Sequence, residues 1–280
     1  MQELSLEKQK LLMLEILLDF DKVCRNNGIR YSLAYGTLLG AVRHQGFIPW
    51  DDDIDVIVFR ADYEKLIQIL NSQMQGNHSF ICVENNPGFS APLGKIIDNT
   101  TILEQSGHFS DRINLGVYID VFPYDMVPEK KSDRKKVLKK AVFLQTLWSF
   151  CGNNNNKRNK AIVIIRKLIN KTPLARWIAL YMNRWASKNN FDKNTMANLI
   201  FGYEDREKEI MRVSDLLELT EYSFEGHSFL GIQKSDFYLK QWYGNYTQLP
   251  PIEERVSHHA IKVIVKLNNK IGLVGVSKNF

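Results

Sequence analysis

Tyr35-Gly-Thr-Leu-Leu-Gly-Ala-Val-Arg-His-Gln-Gly-Phe-Ile-Pro-Trp-Asp-Asp-Asp-Ile-Asp-Val-Ile-Val58 is the stretch on which the reading of this chain turns. Its first part, Thr37 to His44, reads as a short helix opened by Gly36-Thr37, and Ile54 to Phe59 reads as an apolar strand bounded by acids. Asp53 and Asp55 are separated by one apolar residue where that strand begins, so alternation points both carboxylates to one face. Two carboxylates on one face repel and raise each other's pKa unless a cation lies between them. Oxygen donors of this kind suit Mg²⁺ or Mn²⁺, which keep positions open for water and substrate phosphates. Asp51 shares the face by parity but precedes the strand and shapes the approach to it.

A second strand strengthens the pattern. In Gly116-Val-Tyr-Ile-Asp-Val-Phe122, Asp120 lies between two apolar residues, where a lone carboxylate is costly unless it is paired or metal-bound. Two strands offering Asp53, Asp55 and Asp120 form the geometry for one or two metal ions clamping a phosphoryl group. The free N–H groups of the Gly36-Thr37 turn are suited to hold a phosphate. A solvated turn is the ordinary explanation of an isolated Asp51-Asp-Asp-Ile-Asp55 run; the second acidic strand argues against it here.

Around these strands the chain reads as one α+β unit. Leu4 to Asn26 is an opening helix with apolar residues at Leu4, Leu11, Leu14 and Leu18, and again at Leu12, Ile16 and Val23, stopped by Gly28. Arg30 to Ala34 is β-like and Ala61 to Asn71 helical. Strands are expected at Ser79 to Val83, Leu93 to Ile97, Thr101 to Leu103 and Val117 to Phe122. A hairpin around Glu225-Gly226 and a helix over Ser235 to Tyr243 complete the pattern. The expected organisation is a single catalytic domain, 1–280, with a mixed-sheet core in 1–129, a basic helical insertion in 130–200, and a C-terminal hairpin and helix in 201–280.

Composition sets the outer bounds. The chain has 280 residues, 44% apolar and 24% charged, which excludes a disordered or collagen-like chain. Cys24, Cys82 and Cys151 lie far apart, so neither a disulfide framework nor a zinc ribbon is supported, and a reducing compartment fits best. Met1 to Lys10 lacks the order of a signal peptide, and no run approaches the roughly 20 apolar residues of a membrane span. The formal charge of +6 is unevenly placed. Residues 130–190 hold sixteen Lys and Arg against Asp133 alone, a net +15 that leaves −9 for the rest. Within that arm, Ser132 to Phe150 and Lys160 to Asn189 read as amphipathic helices joined by a loop at Gly152 to Asn156.

The motifs resemble a known family. The Gly36-Thr37 turn, Asp53-x-Asp55 and a later strand aspartate are similar to the nucleotidyltransferase fold of DNA polymerase beta type. More narrowly, the run from Tyr35 to Val56 resembles the LicD family, which includes bacterial phosphocholine transferases and relatives of fukutin. The likeness continues through Lys95-Ile-Ile-Asp98, Thr100-Thr101 and Tyr118 to Asp125, and resumes near Phe224 to His227 and from Tyr238 to Pro251. It implies transfer of phosphocholine, phosphoribitol or phosphoglycerol from a CDP-alcohol donor to a hydroxyl of a cell-surface glycan or its lipid-linked precursor, with CMP leaving. On that reading Asp53, Asp55 and Asp120 are catalytic and hold Mg²⁺ or Mn²⁺, with Asp120 favoured as the base. Gly36, Thr37, Arg43, His44, Lys95 and Asp98 then contact substrate. Zinc, bound by Cys and His in some members, finds no matching cluster here.

Several side chains carry two readings. His44 contacts substrate or holds the turn, and Asp98 orients Lys95 or caps a turn. Trp50 and Phe47 are read as packing ahead of stacking, Tyr35 as packing with a usable hydroxyl, and Asp125 as a turn residue beyond its strand. His258 and His259 are read as solvated. The arm, with Trp148, Trp177, Trp185, Phe150 and Tyr181 among its lysines, suits an anionic membrane surface. The expected location is therefore cytoplasmic, peripheral on the inner face of the cell membrane. A DxD glycosyltransferase using a nucleotide sugar is the competing enzyme reading, and Gly36-Thr37 with Asp120 favours the first. Nucleic-acid binding through the arm explains none of the three carboxylates, so no nucleic-acid partner is expected.

Overall fold

A computed structural model describes residues 3–74, 76–104, 113, 115–151, 169, 172–189, 196–198, 200–201, 210–255 and 262–265. The chain opens with α1 (Leu6–Asn26), whose first turn is capped where the Ser5 hydroxyl accepts from the Lys8 amide at 3.4 Å. It buries Met13, Ile16, Leu17, Phe20 and Cys24, a 3.6-residue stripe. Of the two expected stripes, the second supplies the buried Ile16, with Leu12 and Val23 packed against the core, whereas Leu11 of the first is 61% exposed. The run Leu11-Leu-Met-Leu-Glu-Ile-Leu-Leu18 is apolar nearly all round, so periodicity alone does not choose its buried side.

Then follow β1 (Tyr31–Leu33), α2 (Tyr35–His44), β2 (Asp55–Phe59), α3 (Arg60–Gln73), β3 (His78–Ile81), β4 (Gly94–Asp98), β5 (Thr101–Glu104) and β6 (Tyr118–Val127). Beyond them come α4 (Lys131–Phe150), α5 (Leu174–Asn189), β7 (Met196–Asn198), β8 (Met211–Arg212), α6 (Val213–Leu217), β9 (Leu219–Phe224), β10 (His227–Ile232), α7 (Ser235–Tyr243) and β11 (Lys262–Val265). The main sheet runs β3-β4-β6-β2-β1-β10-β9, with β7 on the far end of β6 and β8 beside β7. β2 is parallel to β6 and β1 to β10; the other neighbours are antiparallel. β5 and β11 pair separately. This is the expected α+β architecture.

The two faces of the sheet differ in chemistry. Val56, Val58, Ile96, Ile119 and Val121 are buried on one face, where α1 and α3 pack. The opposite parity on β6, Tyr118, Asp120 and Phe122, is half-buried. The hairpin β9–β10 turns at Glu225 and Gly226, both at positive φ (51° and 77°), as a tight two-residue turn needs. All three cysteines are free and buried.

Asp125 corrects the expectation of a turn residue. β6 runs on through Pro123 to Val127, and Asp125 is fully buried inside it, gripped by Arg60 at the start of α3 (Nε to Oδ1 2.8 Å, Nη2 to Oδ2 3.0 Å). Arg60 Nη1 also reaches Asn183 of α5 at 3.4 Å. The two-point fork satisfies both carboxylate oxygens, the condition under which a buried ion pair is tolerated. The arm departs from expectation too: the helix expected over 160–189 is interrupted, for Thr172 and Pro173 are non-helical and α5 starts after them. Residues 160–168, the Gly152–Asn156 loop and His258 and His259 lie outside the described residues.

Asp125→Ala is expected to lower unfolding free energy by about 3–5 kcal/mol because it strands a buried guanidinium. The double replacement Arg60→Met with Asp125→Leu should recover most of that loss; urea titration of the single and double variants measures both.

Candidate functional site

The registers place the charged residues side by side. Asp55 on β2 faces Asp120 on β6, and Asp120 faces Lys95 on β4. Cross-strand partners point to the same face, so three neighbouring strands present two carboxylates and an ammonium in one row. Lys95 Nζ donates to Asp120 Oδ1 at 2.5 Å and lies over the Tyr118 ring at 3.4 Å from its centroid. Burial opposes the charge on Lys95, but the Asp120 carboxylate outweighs it and raises the lysine pKa. Asp55 is pushed well above the usual carboxylate range, first by burial and then by Asp53, Asp120 and Asp51, with Lys95 pulling the other way. Asp53 lies in the turn before β2 and lines a cleft with Gln9, Met13, Asp52 and Tyr118.

Backbone and neighbouring side chains hold this row in place. The Asp55 amide donates to the Thr37 hydroxyl at 2.8 Å, the Ala34 amide to the Asp55 carbonyl at 3.0 Å, and the Asp120 amide to the Ile54 carbonyl at 2.9 Å. Thr37 is buried, so its hydroxyl ties α2 to β2 and positions Asp55. A Cβ on Gly36 would stand 2.7 Å from Asp51 Oδ2, so glycine lets that carboxylate approach the first turn of α2. Burial and then Asp52 raise the Asp51 pKa, while Lys10 lowers it. Lys10 itself, which no motif singled out, reaches from α1 to the carbonyls of Ile48 and Pro49 at 3.0 and 3.1 Å. Glu225 at the hairpin tip accepts from the Phe47 amide at 3.0 Å and leaves no room for a Cβ at Gly46. These two clamps come from elements 38 and 178 residues distant, which is why local pattern does not reveal them.

Other expected residues are placed elsewhere. Arg43 and His44 end α2, and Arg43 lies seven residues beyond Gly36, about 10 Å along the axis. Arg43 Nη1 donates to the Tyr246 carbonyl at 2.8 Å, clasping the segment after α7, while Nε approaches His44 Nδ1 at 3.4 Å. Burial and the Arg43 charge hold the His44 pKa below its usual range, so the ring is neutral at pH 7. Asp98 is a correction. It follows Lys95 by three residues and so points to the opposite face, where it is buried, accepts from the Thr100 amide and hydroxyl at 2.8 and 2.5 Å, and lies 3.9 Å from His78 Nε2. It caps the β4–β5 turn and takes no part in the acidic row. Tyr35 packs its ring against Phe122, Tyr238 and Trp242, and Phe47 packs on Phe224. Trp50 is half-buried beneath Arg255, 5.4 Å from the ring centroid.

The donor set suits a hard divalent cation. Every candidate ligand is a carboxylate oxygen, and the like charges that raise Asp55 are what a cation would relieve. Among the described residues no three acids, imidazoles or thiols form a ready-made cage. Mg²⁺ does not need one, because it is commonly held by one or two carboxylates with water and substrate phosphates completing its shell.

A mixed sheet that presents acids from two parallel neighbouring strands, beside a short glycine-opened helix, defines a nucleotidyltransferase-type domain. Residues 28–145 match the LicD/FKTN/FKRP nucleotidyltransferase domain. It is 28% identical over 267 residues to the lipopolysaccharide cholinephosphotransferase LicD of Haemophilus influenzae, covering 92% of this chain and 97% of that protein. Shorter matches join 46 residues, 16% of this chain, to 9% of the human and mouse ribitol 5-phosphate transferase FKRP at 41% identity. A further 64 residues, 23% of this chain, are 44% identical to 21% of an uncharacterised protein of Rickettsia typhi.

Thr37→Val removes the acceptor of the Asp55 amide and is expected to cost about 1–3 kcal/mol in denaturant unfolding, with Thr37→Ser near wild type. The pH dependence has a definite sign. Because the folded chain raises the Asp55 pKa, its contribution is fully present below the ordinary aspartate value of about 4 and is lost as pH rises toward the raised value. The metal-free chain should therefore lose thermal stability on that rise, and Asp55→Asn should flatten the loss.

Proposed function

We propose that this chain is a phosphotransferase that moves a phospho-alcohol group, phosphocholine, phosphoribitol or phosphoglycerol, from a CDP-alcohol to a hydroxyl of a cell-surface glycan or its lipid-linked precursor. The observation that carries the reading is the register that sets Asp55 beside Asp120 and Asp120 beside Lys95 on one sheet face. The full-length likeness to a cholinephosphotransferase and the shorter likeness to ribitol 5-phosphate transferases support the class of group transferred.

Asp53, Asp55 and Asp120 would hold Mg²⁺ or Mn²⁺, which supplies charge neutralisation at the donor diphosphate. The remaining work falls to the chain itself. The acceptor oxygen bonds to the phosphorus that carries the alcohol, the bond from that phosphorus to the bridging oxygen breaks, and CMP departs with the electron pair. The acceptor's proton passes to a carboxylate, for which Asp120 is the choice. Lys95, held on Asp120 by a 2.5 Å contact, places a positive charge at the edge of the row where donor phosphate would lie. Gly36 and Thr37 act by bringing α2 against the acids, and Arg43 and His44 serve substrate from the far end of that helix, about two turns away.

Incubation with CDP-choline, CDP-ribitol, CDP-glycerol and UDP-sugars, with release of CMP or UDP followed, tests the proposal. CMP release from one CDP-alcohol is expected, abolished by EDTA and lowered about 100-fold or more in Asp53→Asn, Asp55→Asn and Asp120→Asn. Unchanged turnover in EDTA would sink the metal assignment, and UDP release in place of CMP would make the chain a glycosyltransferase.

A further inference from the structure

The α4–α5 hairpin carries a surface that the transfer chemistry leaves unexplained. Among the described residues, seven of the twelve large apolar side chains that stand exposed belong to these two helices. Each helix already has its core face: Ala141, Leu144 and Trp148 on α4, and Ala179, Met182 and Ala186 on α5, are buried. Trp148 Nε1 donates to the Ser90 carbonyl and Asn183 Nδ2 to Glu84, which anchors both helices to the body. The exposed set therefore lies on the outward side. Phe143 and Leu147 are one turn apart on α4, as are Trp177 and Tyr181 on α5, and Phe143 and Trp177 are 61% and 60% exposed.

The sheet fixes how the two helices run. Val127 pairs with Met196. α4 starts four residues after Val127, and α5 ends seven before Met196, so the helices lie side by side in opposite directions. The apolar end of α4 (Phe143, Leu147) consequently neighbours the apolar end of α5 (Leu174, Trp177, Tyr181). The exposed lysines of α4, Lys135, Lys136, Lys139 and Lys140, neighbour Arg184 and Lys188 of α5. Lys140 marks the border, with its ammonium 5.8 Å from the Tyr181 ring centroid and 5.1 Å from that of Trp185. Among the described residues the outward face is thus divided along its length, apolar and aromatic at the ends of the two helices away from β6 and β7, basic at the ends near them.

We infer that this outward face docks on an anionic membrane surface, with its apolar end entering the headgroup region and its basic end lying on the lipid phosphates. Aromatic and aliphatic side chains rimmed by Lys and Arg match the two layers of such a surface. No described helix is long and apolar enough to cross a membrane, so the contact is one of lying upon it. A second copy of this chain is the weaker occupant, because a two-fold contact sets each basic end against either the basic or the apolar end of its partner, and neither complements it as anionic lipid does.

Co-sedimentation of the full chain with phosphatidylcholine vesicles, with and without phosphatidylglycerol, tests the inference. Binding is expected to the anionic vesicles. It should fall by about 100-fold or more when Lys135, Lys136, Lys139 and Lys140 all become Gln, and also in Phe143→Ser with Trp177→Ser, whose wild-type side chains are exposed and leave the fold intact. A blue shift of indole emission on binding, reduced in Trp177→Phe, is the second readout. Equal binding to neutral vesicles, no binding at all, or binding indifferent to both sets of substitutions would overturn it. So would a dimer that the apolar pair of substitutions converts to monomer while vesicles bind neither form. Sedimentation is independent of turnover, so Asp55→Asn that is inactive yet still bound separates this inference from the transfer reading.

Discussion

The parallel pairing of β2 with β6 is the constraint on which the rest of the structure depends. One step of register sets Asp55 against Asp120, and a second, between β6 and β4, sets Asp120 against Lys95. A shift of one residue on either strand would turn those carboxylates into the face covered by α1 and α3, where apolar side chains offer them nothing. The apolar residues between the acids, Val56, Ile119 and Val121, keep the register fixed because their burial is lost in any other. Chemistry and folding are bound to one alternation.

That arrangement concentrates negative charge at a partly buried place, and the surroundings answer it. Lys95 neutralises one carboxylate directly, and Lys10 sits near Asp51 and Asp52 while holding the loop carbonyls. Hydrogen bonds from backbone amides to Thr37 and Glu225 draw α2, the acidic turn and the β9–β10 hairpin into one assembly. A residual excess remains at Asp55, whose pKa is raised by burial and then by three neighbouring acids. This incomplete compensation suits a place built to receive a cation together with a phosphorylated ligand. On the other face, Arg60 and Asp125 show the opposite solution, a closed pair with both oxygens satisfied and no room for a ligand.

Much of this was legible in sequence where the signal is local. The positions of the helices and strands from Leu6 to Phe122 follow their apolar periodicity, as does that of α7. The Glu225-Gly226 turn announces its hairpin because few residue pairs accept positive φ twice in succession. Misreadings arose where the local signal is degenerate or the partner is far away. The first helix is apolar on too many sides to reveal its core face. Asp125 follows a proline that normally ends a central strand, yet β6 continues because Arg60, 65 residues earlier, is waiting inside. Asp98 lies in the same short strand as Lys95, and only its parity and the Thr100 cap separate it from the acidic row.

The sequence by itself determined the acidic motif, the place of Asp55 where β2 begins, the second acid on an apolar strand and the unequal division of charge between body and arm. These depend on spacing and composition, which no folding step alters. Only the tertiary structure decided which acids become neighbours, that Lys95 joins them, that Asp98 caps a turn on the opposite face while Arg43 clasps the segment after α7, and that the arm's aromatic and basic residues gather at opposite ends of one outward face. Strand order, register and helix direction are set by contacts between residues tens to hundreds of positions apart, and pairing energy of that kind leaves no periodic trace in either partner.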